Sequence, residues 1–92
     1  MIILQSPLFE RQKKRLYKSQ IIILDKEIKK IAANPEIAQE KKGTLKGVRV
    51  HKFPIAKQLF LLAYEFENDV INLIMIGSHE NYYRDLTKYY KE

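Results

Sequence analysis

Two histidines and two arginines are the side chains of this sequence best suited to chemistry at a phosphate. The histidines are His51 and His79, and an imidazole titrates near pH 6.5, which suits proton transfer at neutral pH. Arg49 precedes His51 in the same alternating stretch, and Arg84 follows His79. A guanidinium binds a phosphate through two parallel hydrogen bonds. We therefore take these four residues as the candidate acid–base and phosphate-binding set.

Two tyrosines extend this set. Tyr82 and Tyr83 directly precede Arg84, and a tyrosine can stack on a nucleotide base or donate a proton. Other chemistries have no motif here. The sequence has no cysteine, no glycine-rich phosphate loop, no His-x-x-x-His pair and no Ser-His-Asp order. We therefore expect no metal and no cofactor, and we set aside a nucleotide hydrolase, a metalloenzyme and a serine hydrolase.

Composition indicates one small intracellular domain. The chain has 92 residues, of which 46% are hydrophobic and 30% are charged, a balance typical of globular proteins. We expect a single domain over residues 1–92, in the cytoplasm because cysteine is absent. No apolar stretch is long enough for a signal peptide or a membrane span. The net charge of +6 favours a polyanion or an acidic protein as partner.

The first half of the chain predicts a strand followed by a helical hairpin. Residues 2–4 form a short apolar strand, and Ser6-Pro7 begins a helix, since serine caps helices and proline fits the first turn. Ser19 is expected to cap a second helix that ends at Asn34-Pro35, because a residue before proline avoids helical geometry. This second helix carries apolar residues at helical spacing, namely Ile21, Leu24, Ile28, Ile31 and Ala32.

The second half predicts three strands and a final helix. From Val48 the apolar period changes to two, so that Val48 and Val50 face one way and Arg49 and His51 the other. We expect a turn at residues 54–57, a strand at 59–66, a loop at 67–69, a central strand at 70–76 and a helix at 80–90. The order β-α-α-β-β-β-α predicts an α+β domain with an antiparallel sheet and the helical hairpin packed on one face.

Four strings in this order resemble the RelE/ParE superfamily of toxins, and together they span most of the chain. They are NPEI (34–37), LKGVRVHKF (45–53), LLAYEF (61–66) and IGSHENYYRDL (76–86). The last string is similar to that of a ParE-like subgroup.

The resemblance implies the toxin of a type II toxin–antitoxin system, neutralised by a cognate antitoxin. RelE-like members are endoribonucleases that cut messenger RNA on the ribosome by attack of the RNA 2′-hydroxyl. ParE-like members instead inhibit DNA gyrase. The first hypothesis for this chain is therefore a metal-independent mRNA interferase that causes growth arrest. The second is a gyrase inhibitor, and the third is a degenerate toxin that retains only antitoxin binding.

The resemblance also implies roles for residues. His79 after Gly77-Ser78 resembles the catalytic histidine of the YafQ branch, and His51 resembles the second-strand histidine of that branch. RelE itself uses lysine, arginine and tyrosine, for which Lys46, Lys52 and Tyr83 are the counterparts.

The sequence departs from the family pattern in two respects. One is that no residue matches the extra catalytic aspartate of the YafQ branch. The other is that Leu61 stands where RelE-like toxins usually carry an arginine, so Arg49 or Arg84 would have to supply that charge. Each candidate also has a structural alternative. His79 can cap a helix, His51 and Arg49 can be ordinary strand residues, and Arg84 with Asp85 can be an exposed ion pair. The nuclease hypothesis requires His51, His79, Arg49 and Tyr83 to converge on one basic hollow.

Overall fold

The computed structural model describes residues 1–78 and 80–91, and its elements follow the predicted order β-α-α-β-β-β-α. A short 3-10 turn, Gly43–Leu45, precedes the second strand. The strands are β1 (Ile2–Gln5), β2 (Val48–Ile55), β3 (Gln58–Glu67) and β4 (Val70–Ser78), and the helices are α1 (Pro7–Lys14), α2 (Lys18–Ala33) and α3 (Tyr82–Lys91). Within the described ranges, no helix is both long and apolar enough to cross a membrane.

The four strands form one sheet in the order β1-β4-β3-β2. The pairs β2/β3 and β3/β4 are antiparallel, whereas β1 lies parallel to β4. The predicted α+β fold is therefore confirmed, and the predicted antiparallel pairing holds for β2, β3 and β4, whereas the edge strand β1 is parallel to β4. The central position predicted for residues 70–76 is also confirmed, because β4 lies between β1 and β3.

The sheet has helices on both faces. On one, which we call the hairpin face, α1 and α2 pack against β2, β3 and β4, as predicted. This core includes Phe9, Leu24, Ile31, Phe53, Leu62, Tyr64 and Leu73. On the other, which we call the α3 face, the last helix covers the sheet. This second core includes Leu45, Val48, Val50, Leu61, Ala63, Met75, Tyr82 and Leu86.

Ser6 joins the first helix to an irregularity in β4. The register shifts between Ala63 and Tyr64, which leaves Ile74 as an extra residue in β4. Ser6 Oγ donates a hydrogen bond to the Ile74 carbonyl at 2.6 Å and accepts one from Phe9 N at 2.9 Å. One buried hydroxyl therefore caps α1 and satisfies a backbone carbonyl at the bulge.

Several boundaries differ from the sequence prediction for local reasons. The expected turn at residues 54–57 is shorter, since β2 continues through Pro54, which an edge strand tolerates. The turn itself uses Ala56 with a φ of 55°. Strand β4 likewise continues through Gly77, where an added Cβ would lie 3.4 Å from the Tyr82 ring. The second helix begins earlier than expected, since the residue at its N-terminal cap is the exposed Tyr17 rather than Ser19.

A hydrogen bond between His51 and Glu27 connects α2 to β2 across the hairpin face. His51 Nε2 lies 2.8 Å from Glu27 Oε1, and both side chains are only 12% exposed. Lys30 Nζ lies 2.9 Å from the other oxygen of Glu27. Burial acts to raise the pKa of Glu27, but the hydrogen bonds from His51 and Lys30 outweigh it, so the pKa is lowered. The carboxylate is therefore stabilised in its charged form.

Replacing Ser6 by alanine should destabilise the fold, because the Ile74 carbonyl and the Phe9 amide both lose their partner. We expect a loss of about 2 kcal/mol in the free energy of unfolding, measured by urea denaturation. Ser19→Ala, an exposed serine on α2, is the control and should change it by less than about 0.5 kcal/mol. Equal effects of the two substitutions would contradict this role for Ser6.

The Glu27 carboxylate should make stability depend on pH in acid. Since its folded pKa lies below the ordinary value of 4.5, its contribution is present above pH 4.5 and is lost as the pH falls through the lower folded value. Glu27→Gln should therefore be less stable than the parent at neutral pH, and the difference should shrink below pH 4.5. Urea denaturation of both proteins at several pH values across this range tests the prediction. A difference in the free energy of unfolding that does not change with pH would contradict it.

Candidate functional site

Arg49 and His51 lie on the hairpin face rather than beside the last helix. Their cross-strand partners are Tyr64 and Leu62, both members of the hairpin-face core. Directly opposite residues in an antiparallel pair project from the same face of the sheet. The predicted alternation along β2 is therefore correct, and it directs both residues toward the helical hairpin.

Both residues are occupied by structural contacts there. Arg49 Nη1 donates to the Ala38 carbonyl at 2.7 Å, and its Nη2 lies 3.9 Å from Glu40. The His51 imidazole bonds to Glu27 and stacks on Phe53 with ring centroids 5.7 Å apart. These contacts hold the segment after α2 and α2 itself against β2. A phosphate would have to displace them to reach either side chain.

The α3 face is built around the docked last helix. Leu86 is fully buried, and Tyr82 is 2% exposed with its hydroxyl donating to the Met75 carbonyl at 2.6 Å. Burial raises the pKa of Tyr82 far above its ordinary value. Leu61, which stands in place of an expected arginine, is fully buried in the same cluster. Tyr82 therefore packs in the core, which corrects its expected role of stacking on a nucleotide.

The end of α3 is fixed to the sheet by a second tyrosine. Tyr90 Oη donates to Glu65 Oε2 at 2.6 Å. Burial, followed by the adjacent carboxylate, raises the pKa of Tyr90. Tyr89, the residue before it, is 38% exposed.

Tyr83 lies at the boundary between this core and solvent. Its ring meets that of Tyr82 edge-on at 5.8 Å, and Lys41 Nζ lies 5.0 Å from its centroid. Its hydroxyl is buried and has no hydrogen-bond partner among the described residues. Such a group is uncommon, because a buried hydroxyl without a partner loses its solvation without compensation. Of the two tyrosines, Tyr83 is thus the one whose side chain is partly exposed, although its hydroxyl is enclosed.

A cationic groove of about 450 Å³ runs along the outer side of α3. Within residues 1–78 and 80–91, its lining carries three cations and no carboxylate. The lining residues are Tyr83, Arg84, Thr87, Lys88 and Lys91. Arg84 Nε lies 3.5 Å from Asp85, but both side chains are more than half exposed, so this pair is weak and leaves the guanidinium accessible. We call this feature the α3 groove.

The two lysines of the candidate set occupy different places. Lys52 is exposed and lies opposite Leu61, which assigns it to the α3 face. Lys46 is also exposed, but it lines a separate open groove of about 640 Å³ that also contains Glu40, Glu65 and Glu67. Lys46 is thus surrounded by carboxylates, whereas Lys52 is not part of that lining.

The structure therefore separates the candidate residues into two groups. Tyr83, Arg84 and Lys52 belong to the α3 side, whereas Arg49 and His51 belong to the hairpin side. The expected convergence on one hollow is not found for His51, Arg49 and Tyr83, because the sheet lies between the two groups. His79 lies outside the described residues.

Two cations of the α3 groove, Lys88 and Lys91, are not among the predicted site residues. Lys88 and Lys91 follow Arg84 at intervals that place all three on one side of a helix, and this spacing was the available signal. Lys41 was overlooked because its proximity to Tyr83 depends on the tertiary fold. Across the described part of the chain, no group of three or more His, Cys, Asp or Glu side chains is arranged to hold a metal ion.

Two solved structures from E. coli share this fold. One chain of the intact RelBE toxin–antitoxin complex superposes with a TM-score of 0.70 at 16% identity, over 86% of this chain and 96% of that chain. The isolated RelE toxin superposes with a TM-score of 0.67 at 15% identity, over 96% of this chain and 97% of that chain. At this identity the likeness concerns the fold alone.

Comparison with curated proteins gives no match. A family model, described as the ParE-like toxin of type II bacterial toxin–antitoxin systems, matches residues 3–87. Since this match covers nearly every element from β1 to α3, the chain belongs to the ParE-like toxin family of type II toxin–antitoxin systems.

Proposed function

We propose that this toxin arrests growth by cutting ribosome-bound messenger RNA, with the RNA backbone bound along the α3 groove. The observation that supports this most strongly is the lining of that groove, with three cations, a tyrosine and a threonine on one side of α3. Cations spaced along a groove bind a phosphate backbone by releasing its counterions. A tyrosine at one end can orient a base or a ribose.

The proposed chemistry uses an arginine, a tyrosine and one histidine rather than a pair of histidines. Attack by the 2′-hydroxyl needs a group that removes its proton, a group that protonates the 5′-oxygen leaving group, and a cation beside the phosphorane. Arg84 is proposed as that cation, since its guanidinium is exposed beside the groove. Tyr83 and His79 are proposed for proton transfer, which requires the enclosed Tyr83 hydroxyl to become accessible when RNA binds. Lys52 is proposed as an additional RNA contact. Lys46 remains a weaker candidate, because carboxylates share its groove.

His51 and Arg49 are proposed to act on stability rather than on the reaction. Their bonds to Glu27 and Ala38 hold the hairpin side of the molecule together. Substituting either should lower activity only as far as it lowers the folded fraction.

An antitoxin is the proposed protein partner. The E. coli neighbour is a toxin–antitoxin complex, and this chain carries a net charge of +6. We propose that the antitoxin presents an acidic or amphipathic segment to the basic surface, because a complementary charge speeds and orients association. The complex is proposed to form in the cytoplasm.

Inhibition of DNA gyrase is the second candidate, and one observation favours it. Leu61 is buried beneath α3, and Arg49 is bonded on the hairpin face. RelE-like toxins usually carry an arginine at the position of Leu61 in β3, so that strand supplies no such cation in this chain. A toxin that only binds its target would need no such group.

Expression in bacteria, followed by mapping of RNA 5′ ends, separates the two candidates. We expect growth arrest with new 5′ ends in codon phase. Arg84→Glu should reduce these cuts by roughly a hundredfold without lowering the melting temperature, because it replaces a phosphate-binding cation with an anion. Lys29→Glu makes the same change of charge on exposed α2 and should leave cutting within about twofold. Arrest with DNA breaks and an SOS response, but no RNA cuts, would instead support the gyrase candidate.

Tyr83→Phe tests the buried hydroxyl separately from the ring. Because that hydroxyl has no partner among the described residues, its removal should leave the free energy of unfolding unchanged or slightly higher. RNA cutting should nevertheless fall by roughly a hundredfold if the hydroxyl transfers a proton. Thermal denaturation and cleavage of ribosome-bound RNA are measured on the same variant. Full cleavage by Tyr83→Phe would remove this hydroxyl from the mechanism.

A further inference from the structure

We propose that two copies of this chain associate through β1, so that the sheet continues from one copy into the other. This proposal is independent of the target of the toxin. It rests on the exposure of β1, on the covering of the other strand edges, and on the charges at the two ends of this strand.

Strand β1 is an apolar edge strand with both faces open. Ile2 is 58% exposed, Ile3 41% and Leu4 51%. The backbone hydrogen bonds assigned to this strand run to β4 and to Asp69 just before it. Ile2–Gln5 contains no charge and no proline, although natural proteins commonly use both to prevent association at such an edge.

Other strand edges of the sheet are at least partly covered. Where β1 ends, α1 takes over beside β4, and Gln12 Oε1 accepts a hydrogen bond from the Ile76 amide at 2.8 Å. On the opposite side, Glu40 forms a bridge with Arg49, and the Lys41 amide donates to the Val48 carbonyl at 2.8 Å. The edge at β1 is therefore exposed and apolar, whereas the other strand edges are at least partly covered.

The free backbone groups of β1 have a definite position. The amides of Ile2 and Ser6 donate toward β4, to Asp69 and Leu73. Because backbone groups alternate along a strand, those of Ile3 and Gln5 point outward. Ile3 is thus the middle of a short edge that can exchange hydrogen bonds with another strand.

Charge determines the direction in which a second copy would pair. The start of β1 lies beside the acidic turn that contains Glu67 and Asp69, whose two carboxylates outnumber the Met1 ammonium that lies 3.5 Å from Asp69. Its end, at Gln5, lies beside Lys13, Lys14 and Glu10 of α1, where the two lysines outnumber the carboxylate. An antiparallel pair related by a two-fold axis places the acidic end of one copy against the basic end of the other, whereas a parallel pair would bring like charges together.

The proposed geometry centres the axis on Ile3. Ile3 then exchanges two backbone hydrogen bonds with Ile3 of the second copy, and Ile2 lies opposite Leu4 of the second copy. The apolar side chains of both strands cover one another on each face. Since this pairing uses the exposed edge of both copies, it ends at a dimer rather than a fibre.

Sedimentation velocity over a range of concentrations tests the association. We expect a monomer–dimer equilibrium for the parent chain. Ile3→Lys should weaken it by roughly tenfold or more while retaining the melting temperature, because a charge would be placed in the pair of strands. Ile22→Lys, another exposed isoleucine (58%) but on α2, should leave it unchanged. A parent chain that stays monomeric throughout, or dimers that tolerate Ile3→Lys, would overturn the proposal.

Cross-linking tests the register, and the chain is well suited to it because it has no cysteine. In the proposed pair, Ile2 and Leu4 of different copies form a non-hydrogen-bonded pair about 4.5 Å apart at Cα, within the range of a disulfide. The double variant Ile2→Cys/Leu4→Cys should form a covalent dimer on mild oxidation, and Ile2→Cys alone should form far less. Equal cross-linking of the two variants, or none, would overturn this register.

Discussion

The docking of α3 on the sheet is the interaction on which the rest of the structure depends. Tyr82 and Leu86 bury their side chains against β3 and β4, and Tyr90 fixes the far end of the helix to Glu65. This orientation turns the opposite side of the helix outward, where Arg84, Lys88 and Lys91 form a groove. The same docking closes the sheet surface at Leu61. The cationic site is therefore a property of the helix and not of the sheet beneath it.

The sheet also explains why the candidate residues divide into two groups. Alternation along β2 places Arg49 and His51 on the hairpin face. There Arg49 bonds to the Ala38 carbonyl, and His51 bonds to the Glu27 carboxylate. A buried carboxylate requires such compensation. Of the candidate site residues that the structure describes, Arg84 and Lys52 on the α3 side keep exposed cations, whereas Arg49 and His51 are bonded on the hairpin face. The β1 edge, the proposed site of self-association, belongs to a different element from the α3 groove, so binding a target and pairing with a second copy use separate surfaces.

Much of the fold could be predicted from local patterns. The helical spacing in α2, the Ser6-Pro7 start of α1 and the period of two in β2 each depend on neighbouring residues, so the sequence carries them directly. The ends of β2 and β4, near Pro54 and Gly77, were harder to predict. Pairing with β3 overrides the usual tendency of proline and glycine to end a strand. The candidate site was harder to predict than the strand ends. Sequence alternation shows that Arg49 and His51 share a face, but which helix covers that face follows from the packing of the whole chain. The proximity of Lys41 to Tyr83 has no local signal at all.

The most direct test of the account is to map where RNA touches the folded protein. Titration of the ¹⁵N-labelled chain with a single-stranded RNA that carries a 2′-deoxy sugar at the cut site would allow binding without cleavage. The account predicts chemical-shift changes at Tyr83, Arg84 and Lys88, weakening as salt is raised. Little change is expected at Arg49 and His51. Changes centred on the hairpin face, or no binding at low salt, would contradict the assignment of the target site to the α3 groove.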